Sequence, residues 1–178
     1  MKFGRRTSGN DRFAALARKI EAAVQQDQER VRQTEEFGQL RSRAAAELHE
    51  VCVKFASQVN GLLKKPLVEL SPAEYSRDAF RDNGANVFQI NVSGRIVHLE
   101  FHATDTLTSM EKLGTPYILE GSVRAFNQQL LEMSAVPEHL LFCCPQGNRL
   151  NWVWFDPRAQ RSAPLDQERL ITFLERLM

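Results

Sequence analysis

The chain predicts an α+β fold: a long N-terminal helix, an antiparallel meander sheet of about five strands covered on one face by helices, and a C-terminal helix. Three observations carry this. Helical spacing of apolar residues persists from about Asp11 to Lys65. Short segments of alternating apolar character, separated by turn residues, follow from Asn86 to Phe155. The last residues, from Asp166, form a capped amphipathic stretch. Strands that run together, rather than alternating with helices, indicate α+β. Three segments are expected: a disordered basic tail over residues 1–10, a projecting helical arm over 11–38, and an α+β domain over 39–178.

Ser8 and Asp11 have capping-box spacing, so a helix can start there. Phe13, Leu16, Ala17, Ile20, Ala23 and Val24 form one apolar stripe. From Gln25 to Glu36 the only apolar residue is Val31, and a helix polar all round is solvated, bridges bodies or sits in a weak coiled-coil seam. Gly38 marks a kink or break, since glycine costs a helix interior about 1 kcal/mol. The stripe resumes with Leu40, Ala44, Leu48, Val51, Phe55, Val59 and Leu62, widened by Ala45, Cys52, Ala56 and Leu63. That breadth suits packing on a sheet better than a two-helix seam. Unbroken, the helix would span about 80 Å, whereas a compact remainder has a radius of gyration of about 13 Å. The first half must overhang, fold back at Gly38 or pair with another chain.

Lys64-Lys65-Pro66 ends the helix, because proline cannot continue it. Leu67–Leu70 reads as an edge strand, and Ser71-Pro72-Ala73-Glu74 as the capped start of a short helix to about Arg81. A hairpin over Asn86 to His102 turns at Ser93-Gly94. Setting Val92 opposite Arg95 places Phe88, Ile90, Val97, Leu99 and Phe101 on the core face. Thr104 to Gly114 is expected as loop or one helical turn, with Leu107, Met110 and Leu113 at helical spacing. Tyr117 to Phe126 reads as a strand bulged at Gly121, and Gln128 to Met133 as a brief helical turn. A second hairpin joins His139–Cys144 to Arg149–Phe155. It is apolar on both faces, with Leu141, Cys143, Leu150, Trp152 and Trp154 on one and Leu140, Phe142, Val153 and Phe155 on the other. It must therefore be covered twice, by a second layer or a partner. Pro157 to Pro164 is expected as polar loop. Asp166 caps the last helix, whose buried stripe is Leu170, Phe173, Leu174 and Leu177.

Net charge is +1, which lacks the electrostatic footprint of a nucleic-acid binder. Lys2, Arg5 and Arg6 read as part of the tail rather than a binding arm. No apolar h-region opens the chain, and no apolar run approaches the length of a membrane span. Three cysteines, two of them adjacent, make neither a disulfide framework nor a metal spacing, so a reduced, cytoplasmic protein is expected.

His98, Glu100 and His102 are the one constellation that resembles a site, because alternation puts all three on one strand face. They are weak catalytic candidates. Positions i and i+4 on a strand lie about 13 Å apart, so both histidines cannot ligate one ion, and a solvated polar face is the competing reading. The wider face includes Gln89, Asn91, Glu120 and Arg124, a candidate ligand groove bordered by Trp152 and Trp154. Cys143 and Cys144 read as small buried apolar residues. No phosphate-binding glycine loop, metal site or cofactor site is expected.

The function expected is a non-enzymatic protein-interaction or assembly module, homo-oligomeric or bound to a hetero-partner. Its partner-binding residues are Phe13, Ile20, Val24 and Val31 on the arm and Trp152 and Trp154 on the apolar hairpin. The alternative is a small-molecule-binding or hydrolytic enzyme on the polar face around His98, Glu100 and His102.

Overall fold

A computed structural model describes the backbone of residues 9–109 and 114–178. Residues 1–8 of the expected tail, with the Ser8 cap, and Met110 and Leu113 lie outside the described residues; Gly9 and Asn10, expected in the tail, are helical. The chain divides between Gln39 and Leu40 into two units. Helix α1 (Gly9–Leu62) supplies all the described residues of the first unit and continues into the second. It passes through Gly38 without a break, and a Cβ at Gly38 would meet nothing within 4 Å.

In the first unit, residues 11–36 of α1 are exposed throughout. Glu29 accepts from Arg32 at 3.0 Å and from Gln33 at 3.2 Å, and Arg32 also pairs with Glu36 at 3.7 Å. Such i,i+3 and i,i+4 contacts add about 0.2–0.5 kcal/mol each to a helix.

The second unit is one antiparallel sheet with strands in sequence order: β1 (Val68–Ser71), β2 (Asn86–Val92), β3 (Arg95–Ser109), β4 (Pro116–Phe126), β5 (Glu138–Gln146), β6 (Arg149–Asp156) and β7 (Arg161–Pro164). Seven strands stand where about five were expected. The added edge β7 comes from the segment read as loop. It carries no apolar alternation, and four ladder pairs to β6, Val153↔Pro164 to Asp156↔Arg161, make it a strand. Its turn is held by the Asp156 carboxylate, which accepts from Arg158 N and Ala159 N.

β2 and β3 pair in the expected register, Phe88↔Leu99 and Ile90↔Val97. β3 then runs on to Ser109, past the point where a loop was expected. Its threonine-rich continuation favours strand, and the helical spacing of Leu107 within it was coincidental. The irregularity foreseen at Gly121 is not there, since Gly121 pairs regularly with Phe101; the register shifts in β3 between Ala103 and Thr108, across from Ile118. The helix expected from Ser71 to Arg81 is reduced to one 3₁₀ turn at Arg77–Ala79. Tertiary contacts override its local cap. His49 lies 2.8 Å from the Pro72 carbonyl, Tyr75 packs edge-on against Phe88 at 4.9 Å, and the Asn86 side chain bonds both backbone groups of Arg81.

One sheet face packs on helix. Ala44, Ala45, Leu48, Cys52, Phe55 and Ala56 of α1 are buried, as are Phe88, Ile90, Val97, Leu99, Phe101, Leu141 and Cys143. Alanines at the contact let a large ring approach the helix backbone, and Trp152 Nε1 donates to the Ala44 carbonyl at 2.9 Å. Phe101 and Trp152, three strands apart in the sheet, meet at 5.0 Å between ring centroids. The gap they lean across is Gly121, which pairs with Phe101 and Leu141. A Cβ there would lie 1.9 Å from the Glu100 carbonyl and 2.6 Å from Phe101 Cα. Arg41, buried at the start of the packed half of α1, donates to the carbonyls of Ile118 and Thr104 and pairs with Asp82 at 3.3 Å. It ties the helix to the irregular stretch of β3 and β4. A five-residue helix α2 (Gln128–Glu132), capped by Asn127, follows β4.

Helix α3 (Gln167–Glu175) is capped by Asp166, which accepts from Arg169 N, and buries Leu170, Phe173 and Leu174. His139 is buried beside it, edge-on to Trp154 at 5.3 Å and 5.6 Å from Phe173. Burial depresses its pKa, assisted by Arg176, Arg169 and Arg158 and opposed by Asp156 at 3.9 Å.

Two outcomes follow from this packing. Gly121→Ala should lower the urea midpoint at unchanged slope, a loss of about 3 kcal/mol or more, because the obstructing atoms are backbone; a loss under about 1 kcal/mol contradicts the close approach. His139 binds its proton more weakly folded than unfolded. Its contribution is therefore intact above the ordinary histidine pKa and lost as pH falls below it. Urea midpoints across that window should drop for the wild type and stay flatter for His139→Gln; equal slopes would refute the assignment. Asp156, whose pKa is lowered by the bonds from Ala159 and Arg158, acts in a separate, more acidic window.

Candidate functional sites

The first unit presents a stripe. Phe13, Leu16, Ile20, Val24 and Val31 recur at spacings that keep them on one side of α1. Each is between 50% and 74% exposed. Asp27 and Gln28 occupy the stripe between Val24 and Val31, where these residues with Arg32 and Glu35 line a shallow hollow. Single exposed apolar residues are ordinary; here five share one side of the helix, with Asp27 interrupting the row before Val31.

The second unit presents a cleft of about 590 Å³ on the sheet face opposite α1. Alternation builds it. Glu100 and His102 come from β3, Glu120, Ser122 and Arg124 from β4, and Glu138, Leu140 and Phe142 from β5. The register sets His98 opposite Arg124, Glu100 opposite Ser122 and His102 opposite Glu120. Glu100 Oε2 lies 3.4 Å from both Arg124 Nη2 and His98 Nε2, and Glu120 Oε1 lies 3.3 Å from His102 Nε2. The two histidines thus serve different carboxylates. Among the described residues, no three His, Cys, Asp or Glu side chains are grouped to hold a metal ion.

Of the other residues expected in a groove, Asn91 is spent on the β2–β3 turn, where its side chain accepts from Gly94 N at 2.9 Å. Gln89 faces His98 across the ladder and does not line the cleft. The tryptophans do not border the polar face. Trp152 pairs with Cys143 and Trp154 with Leu141, which sets both on the helix-covered side, buried. There the Arg169 guanidinium lies 4.4 Å from the Trp154 ring centre. The cleft's apolar border is instead Leu140 and Phe142. On this outer face the second hairpin is covered within the chain: Tyr117, Phe142, Cys144 and Phe155 form a buried cluster, with Tyr117 and Phe142 at 4.7 Å.

Tyr117, Leu140, Phe142 and Glu138 were not foreseen as cleft residues. Their place depends on the β4–β5 register, Glu120↔Phe142 and Ser122↔Leu140. No tight turn joins those strands, so nothing local encodes the pairing.

The cysteines are buried and un-ionised. Burial pushes the Cys52 thiol up to about 12 and raises Cys143 and Cys144 as well. Tyr117 is raised first by burial and then by the hydrogen bond its hydroxyl donates to Glu120. Tyr75, the only other tyrosine, is pushed up to about 12 by burial.

Both phenols should therefore titrate above the ordinary tyrosine value in an ultraviolet pH titration of the native chain. Glu120→Gln should lower the Tyr117 step only part of the way, because burial is its larger cause. A Tyr117 step unmoved by that change would remove Glu120 from the cleft's network. No family model, curated protein or solved structure matches this chain.

Proposed function

We propose that this protein is a non-enzymatic interaction or assembly module, and that it pairs the Phe13–Val31 face of α1 with a helix of another protein chain. The supporting observation is the row of five large apolar side chains, each at least half exposed. Covering such a row recovers about 25 cal/mol for each Å² of apolar surface removed from water. A helix shorter than about 12–15 residues is marginal in water, and most helical stability comes from packing an apolar face. A row that finds no cover in its own unit therefore gains from a partner. The rest of the helix surface carries both signs, with Asp11, Arg18 and Glu29 opposite the row and Glu21, Arg12 and Arg30 on its flanks. An interfacial membrane helix is instead rich in lysine and arginine on its polar face. No helix among the described residues is long and apolar enough to cross a membrane.

A second reading, a small-molecule site, is favoured by the cleft alone. Its occupant would sit against Tyr117 and Phe142 beside Glu100, Glu120 and Arg124, and would show itself as a displaced Tyr117 titration.

Ile20→Glu with Val24→Glu tests the first reading in the full chain at its native level of expression. The wild type should elute from a native cell extract well above its own mass of 20.3 kDa. The double variant should elute near that mass with unchanged thermal stability of the sheet unit. Co-elution of the two would overturn the reading.

A further inference from the structure

We propose that the partner helix is the same stretch of a second copy of this chain, running antiparallel, with the two-fold axis between Ala23 and Val24. This rests on the interaction reading above and adds the partner's identity and direction.

The argument begins with charge along α1. Residues 11–24 carry three cations, Arg12, Arg18 and Lys19, against two carboxylates, Asp11 and Glu21. Residues 25–36 carry four carboxylates, Asp27, Glu29, Glu35 and Glu36, against Arg30 and Arg32. Arg32 pairs with Glu29 and Glu36 on its own helix, which leaves Asp27 and Glu35 against Arg30 in that half. A parallel, in-register pair sets acidic half on acidic half, whereas an antiparallel pair sets the basic turns of each copy on the acidic turns of the other.

The stripe agrees. Asp27 lies one heptad after Ile20, on the apolar row itself. In a parallel pair it would face its own copy, and two like charges would be desolvated together at the seam. With the axis between Ala23 and Val24, Asp27 falls instead beside Lys19 and Ile20 of the second copy. The same register sets Leu16 over Val31 and Ala23 against Val24. The densely apolar first turns thereby cover the sparse second half, which has only Val31 to offer. Each of these contacts occurs twice, because a two-fold interface uses the same patch on both copies.

Disulfide mapping on the full chain tests direction and register. Leu16→Cys and Val31→Cys, prepared separately, mixed and mildly oxidised, should give the mixed disulfide in excess of both homodimers. The native cysteines are buried with raised thiol pKa values, so the wild type supplies a blank. Homodimers of Leu16→Cys with Leu16→Cys, formed in preference, would overturn the antiparallel direction while leaving the interaction reading standing. A second pair on the row itself fixes the register. Ile20→Cys mixed with Asp27→Cys should likewise give the mixed disulfide in excess of both homodimers; failure of that pair to cross-link overturns the register. A wild-type chain that sediments as a monomer at its highest soluble concentration overturns self-pairing; the extract experiment above then decides separately whether another protein is the partner.

Discussion

The helix-covered core depends on how closely backbone can approach backbone at two places. At Gly121 the strand β4 comes so near β3 that any side chain would intrude on the Glu100 carbonyl. At Ala44 and Ala45 the helix offers only methyl groups, and the indole of Trp152 reaches past them to the helix backbone. Phe101 and Trp152 meet because neither place obstructs them. Interiors packed at crystal density tolerate little slack, so these small residues decide where the large rings sit. Arg41 fixes the same helix from the other end of the contact. Its guanidinium saturates two carbonyls where β3 loses register with β4, and so satisfies backbone acceptors that the ladder leaves unpaired.

Much of this was legible in the residues. The β2–β3 hairpin has a tight turn at Ser93-Gly94 and strict alternation, so its register and core face follow from local chemistry. The α3 cap at Asp166 and its stripe of Leu170, Phe173 and Leu174 are equally local. What was not legible depends on distant partners. The cap signal at Ser71-Pro72 competes with His49 and Tyr75, which arrive from elsewhere and hold the segment out of helical form. Arg161–Pro164 is strand only because β6 lies beside it. The polar face around Glu100 was readable as a face, but its walls were not, because Phe142 and Leu140 reach it through the β4–β5 register. The same dependence moved the tryptophans. Parity along β6 was visible, yet which parity faced α1 was settled by the pairing with Leu141 and Cys143.

The two candidate surfaces differ in kind. Much of the cleft's charge is paired internally, since Glu100 answers Arg124 and His98 and Glu120 answers His102 and Tyr117, although the buried Arg124 Nε finds no partner. The row on α1 has no such internal answer: Phe13, Leu16, Ile20, Val24 and Val31 all stay at least half open to water. Apolar area left in solvent is the stronger physical reason to expect an occupant.

The two outermost strands, β1 and β7, have only four residues each, and β7 finishes on Pro164. A rim that short offers a newcomer few free amide and carbonyl groups, and proline withholds one more. Those two strands thus give a neighbouring molecule little template for extending the sheet into a fibre. The barer rim lies inward of them, where residues 102–109 of β3 have no β2 partner and residues 149–152 of β6 have no β7 partner.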